Sequence, residues 1–367
     1  MIKVMHCISD TNFGGAGRVL LNYLNHFDAD SFEVVVVVPK GSKLLNYFEA
    51  EKYRIIEFDG LYDRSYNKSD VKALVKLIKQ HQPNIVHSHG ALSARIAAKK
   101  CHKKIVYTRH SVFDLPKWQT SWYGKLLLGT INTYYADRII AVSPAAKDLL
   151  VASGTKSQII DVIFNGVEKL DRAPKEKCEQ LKAQYGIAEN DFVCTIMARL
   201  EVFKGHKYIV EAARILHEQG VTNLKVIIAG TGEMEAEIKD LISAYNLENS
   251  VILAGFVTDI PTLLSITDIQ LNASYAEATS MALLEGFSLG VPAVVSDYGG
   301  NPYVVFDEEN GLLFPKNNSQ ALAEAILRMK QDQNLYQKTV AQSIEIFDQK
   351  FTAQKMTENI EMLYCKL

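Results

Sequence analysis

The sequence predicts an α/β protein of two doubly wound domains, each a parallel sheet with helices on both faces. Three observations carry this. Short apolar, β-branched runs alternate with helical stretches along the whole chain. A polar, charged stretch over 165–190 (NGVEKLDRAPKEKCEQLKAQYGIAEN) interrupts the alternation once, after which it restarts. The 367 residues, 48% apolar and 22% charged, suffice for two full cores. Parallel strands need a crossover between them, most simply a helix, so regular alternation reads as parallel sheets.

In order along the chain, strands are expected over 2–8, 33–38, 54–58, 84–88, 104–108, 138–142 and 159–163. Helical stretches intervene, for example over 17–27, where Val19, Leu20, Tyr23 and Leu24 share a face, and over 70–79. After the interruption, read as the interdomain linker, strands resume over 192–198, 224–229, 251–254, 268–272 and 292–296. The final segment carries Met356, Ile360, Leu363, Tyr364 and Leu367 on one helical face behind Thr352, a residue suited to an N-cap. An amphipathic helix of this kind must dock on something, most simply the chain's own domains. The expected boundaries are 1–168, 169–346 and a terminal helix over 347–367. Ligands of such sheets sit at the carboxyl ends of the strands, here in a cleft between the domains.

Composition narrows the function classes. The longest apolar runs, such as VVVVV at 34–38, have strand length and not the length of a membrane span. MIKVMHCISD reads as a strand and lacks the apolar core of a signal peptide. The five cysteines are scattered with no CxxC, which fits a reducing cytoplasm. The net charge of −2 hides an asymmetry: residues 1–168 carry 22 basic against 15 acidic side chains, and the remainder 18 against 27. A basic first half favours an anionic partner such as an anionic membrane face, or is uneven surface decoration. No nucleic-acid partner is expected.

The most informative cluster is NASYAEATSMALLEGFSLGVP, following the strand DIQLN. A helix starting at Ala278-Thr279-Ser280 would turn its free N–H groups and positive dipole end toward the strand tip, a site for phosphate. Glu277 on the loop and Glu285 in the second helical turn flank it. Carboxylates repel phosphate but accept hydrogen bonds, so a polyhydroxylated group, ribose or hexose, is their natural partner. Arg199 and Lys204, in ARLEVFKGH after strand 192–198, suit a diphosphate, one as a fork and one as a mobile charge. Exposed loop cations are the plain alternative. Ala229-Gly230-Thr231-Gly232 is a second glycine turn after a strand, and Gly299-Gly300-Asn301-Pro302 a third. Near the start, Phe13-Gly14-Gly15-Ala16-Gly17 opens a helix after the first strand, as a ligand loop or as a tight turn. It is not GxGxxG, since Leu20 holds the third glycine position, and VVVVV ends in Pro39-Lys40 without the acid that a nicotinamide site needs, so a dehydrogenase is set aside. His110 follows strand 104–108 at its tip. His87 and His89 read as buried or turn-capping histidines, with no third metal ligand at a suitable spacing. Asp28-Ala29-Asp30 precedes a strand and reads as a surface loop, so no metal site is inferred.

This ordered series resembles glycosyltransferase family 4, the retaining transferases of the GT-B fold, over nearly the whole chain. The carrying motifs are Gly14-Gly15, ADRIIAVS at 136–143, Phe164-Asn165-Gly166-Val167, Arg199, Lys204-Gly205, Gly230-Thr231-Gly232, the E-x7-E of Glu277 and Glu285, and the terminal amphipathic helix. Family members often carry a glutamate soon after the later GG, where this chain has Tyr303. The resemblance implies two Rossmann-like domains, the first on the acceptor side and the second on the donor side. It implies that Arg199 and Lys204 bind the donor diphosphate with the backbone around Thr279, Ser280 and Met281, and that Glu285 holds the ribose. It also implies that Glu277 contacts the transferred sugar, that His110 is the active-site histidine, and that Gly15 and Gly230 lie near the donor. The activity expected is transfer of a sugar from a nucleoside-diphosphate sugar, a UDP-sugar favoured, to a saccharide or lipid-linked acceptor, retaining and without metal or other cofactor. Alternatives are a nucleotide-sugar epimerase, a glycan phosphorylase or a non-catalytic sugar-nucleotide binder. A cytoplasmic location at the inner membrane face is expected. Val112 to Tyr135, with Trp118, Trp122, Tyr123, Lys117, Lys125 and a leucine run, reads as an interfacial helix or as a core helix with an aromatic lid.

Overall fold

The computed structural model describes residues 1–49, 51–113 and 115–367. The chain divides into two compact units, Met1–Val167 with Thr352–Leu367, and Glu168–Phe351.

The first unit is a parallel sheet of β1 (Ile2–Ile8), β2 (Phe32–Pro39), β3 (Arg54–Phe58), β4 (Ile85–His89), β5 (Lys104–Arg109), β6 (Arg138–Ala141) and β7 (Ile160–Val162). The strand order is β3-β2-β1-β4-β5-β6-β7. Val34 to Val38 are all buried, as expected of a strand covered on both faces. The second unit holds β8 (Phe192–Met197), β9 (Leu224–Ala229), β10 (Val251–Gly255), β11 (Ile269–Asn272), β12 (Ala293–Ser296) and β13 (Gly311–Phe314), in the order β10-β9-β8-β11-β12-β13. In each sheet the order reverses beside the unit's first strand, between β1 and β4 and between β8 and β11. Loops leaving the two strands at such a point run apart and open a crevice at the carboxyl ends, where ligands of these folds bind.

Three expectations need correction. The stretch 165–190 is not a linker throughout: Lys175–Gln184 is a helix whose Cys178 and Leu181, with the following Tyr185, pack on Ile187, Val193 and Leu263 of the second unit. The passage between units falls at Val167 and Glu168. The second unit runs to Phe351 and not to 346, because Gln333–Lys350 is one helix that buries Ile346 and Phe347. Strand β13 was not foreseen.

The terminal helix, Ala353–Cys365, is capped by the Thr352 hydroxyl, which accepts from the Lys355 N–H. It belongs to the first unit and buries Met356, Ile360, Leu363 and Tyr364. The backbone N–H of Ala353 donates to the Val167 carbonyl at 2.9 Å, which fixes the point of return. Among the described residues no helix is long and apolar enough to cross a membrane.

Candidate functional site

In the second unit, the crevice between β8 and β11 holds Lys204 and Glu277, a cation and a carboxylate that the sequence singled out. A small cavity there is lined by Thr195, Gln270, Asn272, Lys204, Glu277 and Ser280, among others. Lys204 closes a short 3-10 turn after β8 and Glu277 sits on the loop after β11. Their side chains are only 16% and 12% exposed, and the ammonium lies 2.7 Å from the Glu277 carboxylate. Gly205, at φ 71°, takes a left-handed conformation, and a Cβ there would meet the Ala273 carbonyl at 2.4 Å. A glycine is therefore needed to pass Lys204 under the loop that carries Glu277.

A chain of hydrogen bonds sets that loop. The Tyr275 N–H and the Ser274 hydroxyl both donate to the Phe203 carbonyl. The Ser296 hydroxyl donates to the Ser274 carbonyl, and the Gly300 N–H donates to the Glu277 carbonyl at 2.7 Å. The helix that follows, Met281–Ser288, has Ser280 at its N-cap position with no side-chain cap bond. Its leading N–H groups have no intrahelical partner, and the dipole gives that end positive character. Thr279 and Glu285 are both buried, the latter in the second helical turn.

Not every predicted residue joins this cluster. Arg199 is 74% exposed on its side chain and pairs with Glu201 at 2.5 Å. Gly230 follows β9 with φ 152°, and a Cβ there would lie 1.9 Å from the Ala198 carbonyl, so its place is backbone passage beside the β8 loop. Tyr303 closes a short 3-10 turn and is partly exposed. One residue was passed over: His206, at the start of helix His206–Glu218, is buried with neither ring nitrogen paired among the described residues. Burial, with the Lys204 charge adding to it, holds that imidazole down to about 4.

In the first unit, Gly15 opens helix Gly15–His26, and a Cβ on it would meet nothing within 4 Å. His110 follows β5. Its Nε2 is 3.0 Å from Nδ1 of His89, and Nε2 of His89 is 3.1 Å from Nδ1 of His6. His87 lies beside them, its Nδ1 2.5 Å from the Tyr364 hydroxyl and its Nε2 2.6 Å from the Thr108 hydroxyl. The third imidazole that sequence spacing did not find is therefore His6, from β1. His6, His87 and His89 are close enough together to hold a metal ion. Their nitrogens are, however, engaged with one another, with His110 and with two hydroxyls, so the arrangement is a hydrogen-bonded row. Burial holds His6 down to about 3 and His110 to about 4. It also pushes His87 and His89 well below the usual histidine range, with neighbouring imidazoles adding to the effect. All four are neutral at pH 7.

The helix Trp122–Tyr134 is not a core helix under an aromatic lid. Trp122 is 78% and Leu126 64% exposed, and Trp118, Tyr123, Leu127 and Tyr134 are exposed as well.

Known proteins match this arrangement along the whole chain. The family model for glycosyltransferase family 4 matches residues 13–169, and that for glycosyl transferases group 1 matches residues 178–345. The chain is 28% identical over 357 residues to the UDP-Gal:alpha-D-GlcNAc-diphosphoundecaprenol alpha-1,3-galactosyltransferase of Escherichia coli, covering 91% of this chain and 89% of that one. It is 25% identical over 306 residues to the N-acetyl-alpha-D-glucosaminyl L-malate synthase of Bacillus anthracis, covering 82% and 79%. The crystal structure of Anabaena HepE in complex with UDP superposes with a TM-score of 0.85 at 21% identity, covering all of both chains. Two Rossmann-like units, each with its crevice at the strand-order reversal, and family models that take one unit each, make this chain a glycosyltransferase of family 4, group 1.

Proposed function

We propose that the protein transfers a sugar from a UDP-sugar to a lipid-linked saccharide, with retention of anomeric configuration and without a metal ion. The observation that carries this reading is the Lys204–Glu277 pair in the β8/β11 crevice, beside the helix start at Met281. The crevice holds its cation against its own carboxylate. A diphosphate entering there competes for Lys204 and for the helix N–H groups. Glu277, released, is free to accept hydrogen bonds from the hydroxyls of the sugar.

In this reading Arg199, Lys204 and the backbone at Thr279, Ser280 and Met281 hold the diphosphate, and Glu285 holds the ribose. Gly230 and Gly15 leave room for the donor, and His110 faces the sugar. The bond between the anomeric carbon and the phosphate oxygen breaks, and negative charge grows on the departing diphosphate. Fixed cations and helix N–H groups stabilise that charge without a metal. The acceptor hydroxyl attacks from the face that the phosphate leaves, and its proton passes to a phosphate oxygen. Glu277 is committed to positioning and is not a nucleophile. The nucleotide and acceptor are suggested by the relative that uses a UDP-galactose donor and a diphosphoundecaprenol-linked sugar, and by the UDP-bound HepE complex. The exposed Trp122, Tyr123, Leu126 and Leu127, with Lys117 and Lys125 close in sequence, suit contact with an anionic membrane surface.

The test is a panel of UDP-, GDP- and ADP-sugars with and without a lipid-linked acceptor. Release of UDP from one UDP-sugar that rises on adding acceptor, and survives EDTA, is expected. Activity lost in EDTA and restored by manganese would refute the metal-free reading, and release from none of the donors would refute transfer. Flotation with anionic liposomes at low salt checks the membrane contact, which absence of binding would remove.

A further inference from the structure

The histidine row in the first unit has a property that no single residue of it shows. Nε2 of His110 faces Nδ1 of His89, and Nε2 of His89 faces Nδ1 of His6. Nε2 of His6 faces the Tyr364 hydroxyl at 3.5 Å, the longest link. The same hydroxyl faces Nδ1 of His87, whose Nε2 faces the Thr108 hydroxyl. A neutral imidazole has one N–H and one lone pair. Where the Tyr364 hydroxyl spends its hydrogen on one histidine and accepts from the other, each link forces the next, and the row has two states, with all four rings protonated on Nδ1 or all four on Nε2.

The two ends decide between them. If all four protons sit on Nε2, His87 donates to Thr108, and the buried Thr108 hydroxyl must point its own hydrogen elsewhere; no other partner for it is found among the described residues. If all four sit on Nδ1, Thr108 donates to His87, His87 to Tyr364, Tyr364 to His6, His6 to His89 and His89 to His110. Every link is then satisfied, and the one hydrogen left over moves from the interior Thr108 hydroxyl, where no ligand can meet it, to His110 just past the carboxyl end of β5, the end at which ligands of such sheets bind. What remains is Nδ1 of His110, which is buried and has no partner among the described residues.

We propose that Thr108, His87, Tyr364, His6 and His89 are positioning residues that hold His110 as the neutral Nδ1–H tautomer, presenting one N–H to an oxygen of the substrate. The terminal helix, which supplies Tyr364, is then part of the chemistry as well as of the fold. The tautomer rests on the hydrogen-bond row and does not depend on the transferase reading. That the accepting oxygen belongs to the sugar or its leaving phosphate rests on the transferase reading.

The test is nitrogen-15 NMR of the histidine rings in the full chain at pH 7, for the wild type, Tyr364→Phe and Thr108→Val. The wild type is expected to show all four rings neutral with the proton on Nδ1. Thr108→Val removes the hydroxyl that orders the row and is expected to shift His87 and His110 toward mixed tautomers, while Thr108→Ser retains the wild-type pattern. Tyr364→Phe keeps the ring and should uncouple His87 from His6. If this variant does not fold, the threonine pair still decides. On activity, Thr108→Val is expected to lower kcat about tenfold, roughly the worth of one hydrogen bond, with UDP affinity unchanged. Unlike tautomers among the four wild-type rings, a charged His110, or His110 resonances unmoved in both variants would overturn the proposal. Absence of any transfer by the wild type would refute the transferase reading and leave the tautomer result standing.

Discussion

Removing the charge of Lys204 separates what the Lys204–Glu277 pair does for the fold from what it does for the reaction. In Lys204→Met the stem remains and the ammonium is lost. The Glu277 carboxylate, 12% exposed, then loses its 2.7 Å partner. Breaking a fully buried pair costs about 3–5 kcal/mol, and the residual solvent contact of both side chains reduces this to roughly 2 kcal/mol. For a unit of this size that lowers the melting temperature by about 4–8 °C. Activity should fall further. One lost charge on the departing diphosphate costs about 3 kcal/mol, on the order of 100-fold in kcat/KM. The double variant Lys204→Met/Glu277→Gln has no stranded carboxylate, so its melting temperature should return most of the way, while turnover stays as low as in the single variant. Initial rates of UDP release and thermal melts on the wild type, Lys204→Met, Glu277→Gln and the double variant close the cycle. Turnover by Lys204→Met within twofold of wild type, or recovery of turnover in the double variant, would show that the pair only braces the loop.

Three further outcomes are expected. Acid should destabilise the protein through its buried histidines. His6 is held down to about 3, and His110 and His206 to about 4, against 6.5 in an unfolded chain. The unfolded state therefore binds more protons as pH falls below 6.5, and stability drops through that window by up to about 1.4 kcal/mol per pH unit for each histidine. A melting temperature that stays level from pH 7 to pH 5 would contradict this. Gly15→Leu should melt within about 2 °C of wild type, because a Cβ there meets nothing within 4 Å, yet lose tenfold or more in turnover if substrate passes close by; unchanged turnover removes Gly15 from the site. Gly230→Ala should cost at least about 3 kcal/mol, since its φ of 152° and a Cβ 1.9 Å from the Ala198 carbonyl leave no room without moving backbone, and a wild-type melt would show that the turn yields.

The strands were legible because a parallel strand covered on both faces is an unbroken β-branched run, as Val34 to Val38 are. Strand β13 escaped because it opens on Gly311, packed so near β12 that a Cβ would lie 2.0 Å from the Ala293 carbonyl. Helix Lys175–Gln184 was hidden for the opposite reason. Its apolar side chains, Cys178 and Leu181, are spaced three apart but diluted among charges, and only contact with the second unit identifies them as a face. Periodicity reports how much of an element is buried, and elements that bury little give little signal.

Glu277 and Lys204 could be singled out because each stands in a turn at a strand tip, and Glu285 because it lies in the helix that opens at one of those turns. Their pairing could not be read from spacing, since Lys204 and Glu277 are 73 residues apart in sequence. His6 was missed for the same reason: it is a lone histidine in an apolar strand, 83 residues from the His89 it meets. Both meetings nevertheless follow from the fold class. In a doubly wound sheet the first and fourth strands of each unit lie side by side where the order reverses. Residues at the carboxyl ends of β1 and β4 are therefore neighbours, with His6 opposite His87 and Ile8 opposite His89 in the register. The loops after β8 and β11 adjoin for the same reason and bring Lys204 to Glu277. Once the class is read, a polar side chain near the end of a unit's first strand should be weighed together with those ending its fourth. By that reasoning His6 belongs with His87 and His89 before any coordinates are consulted.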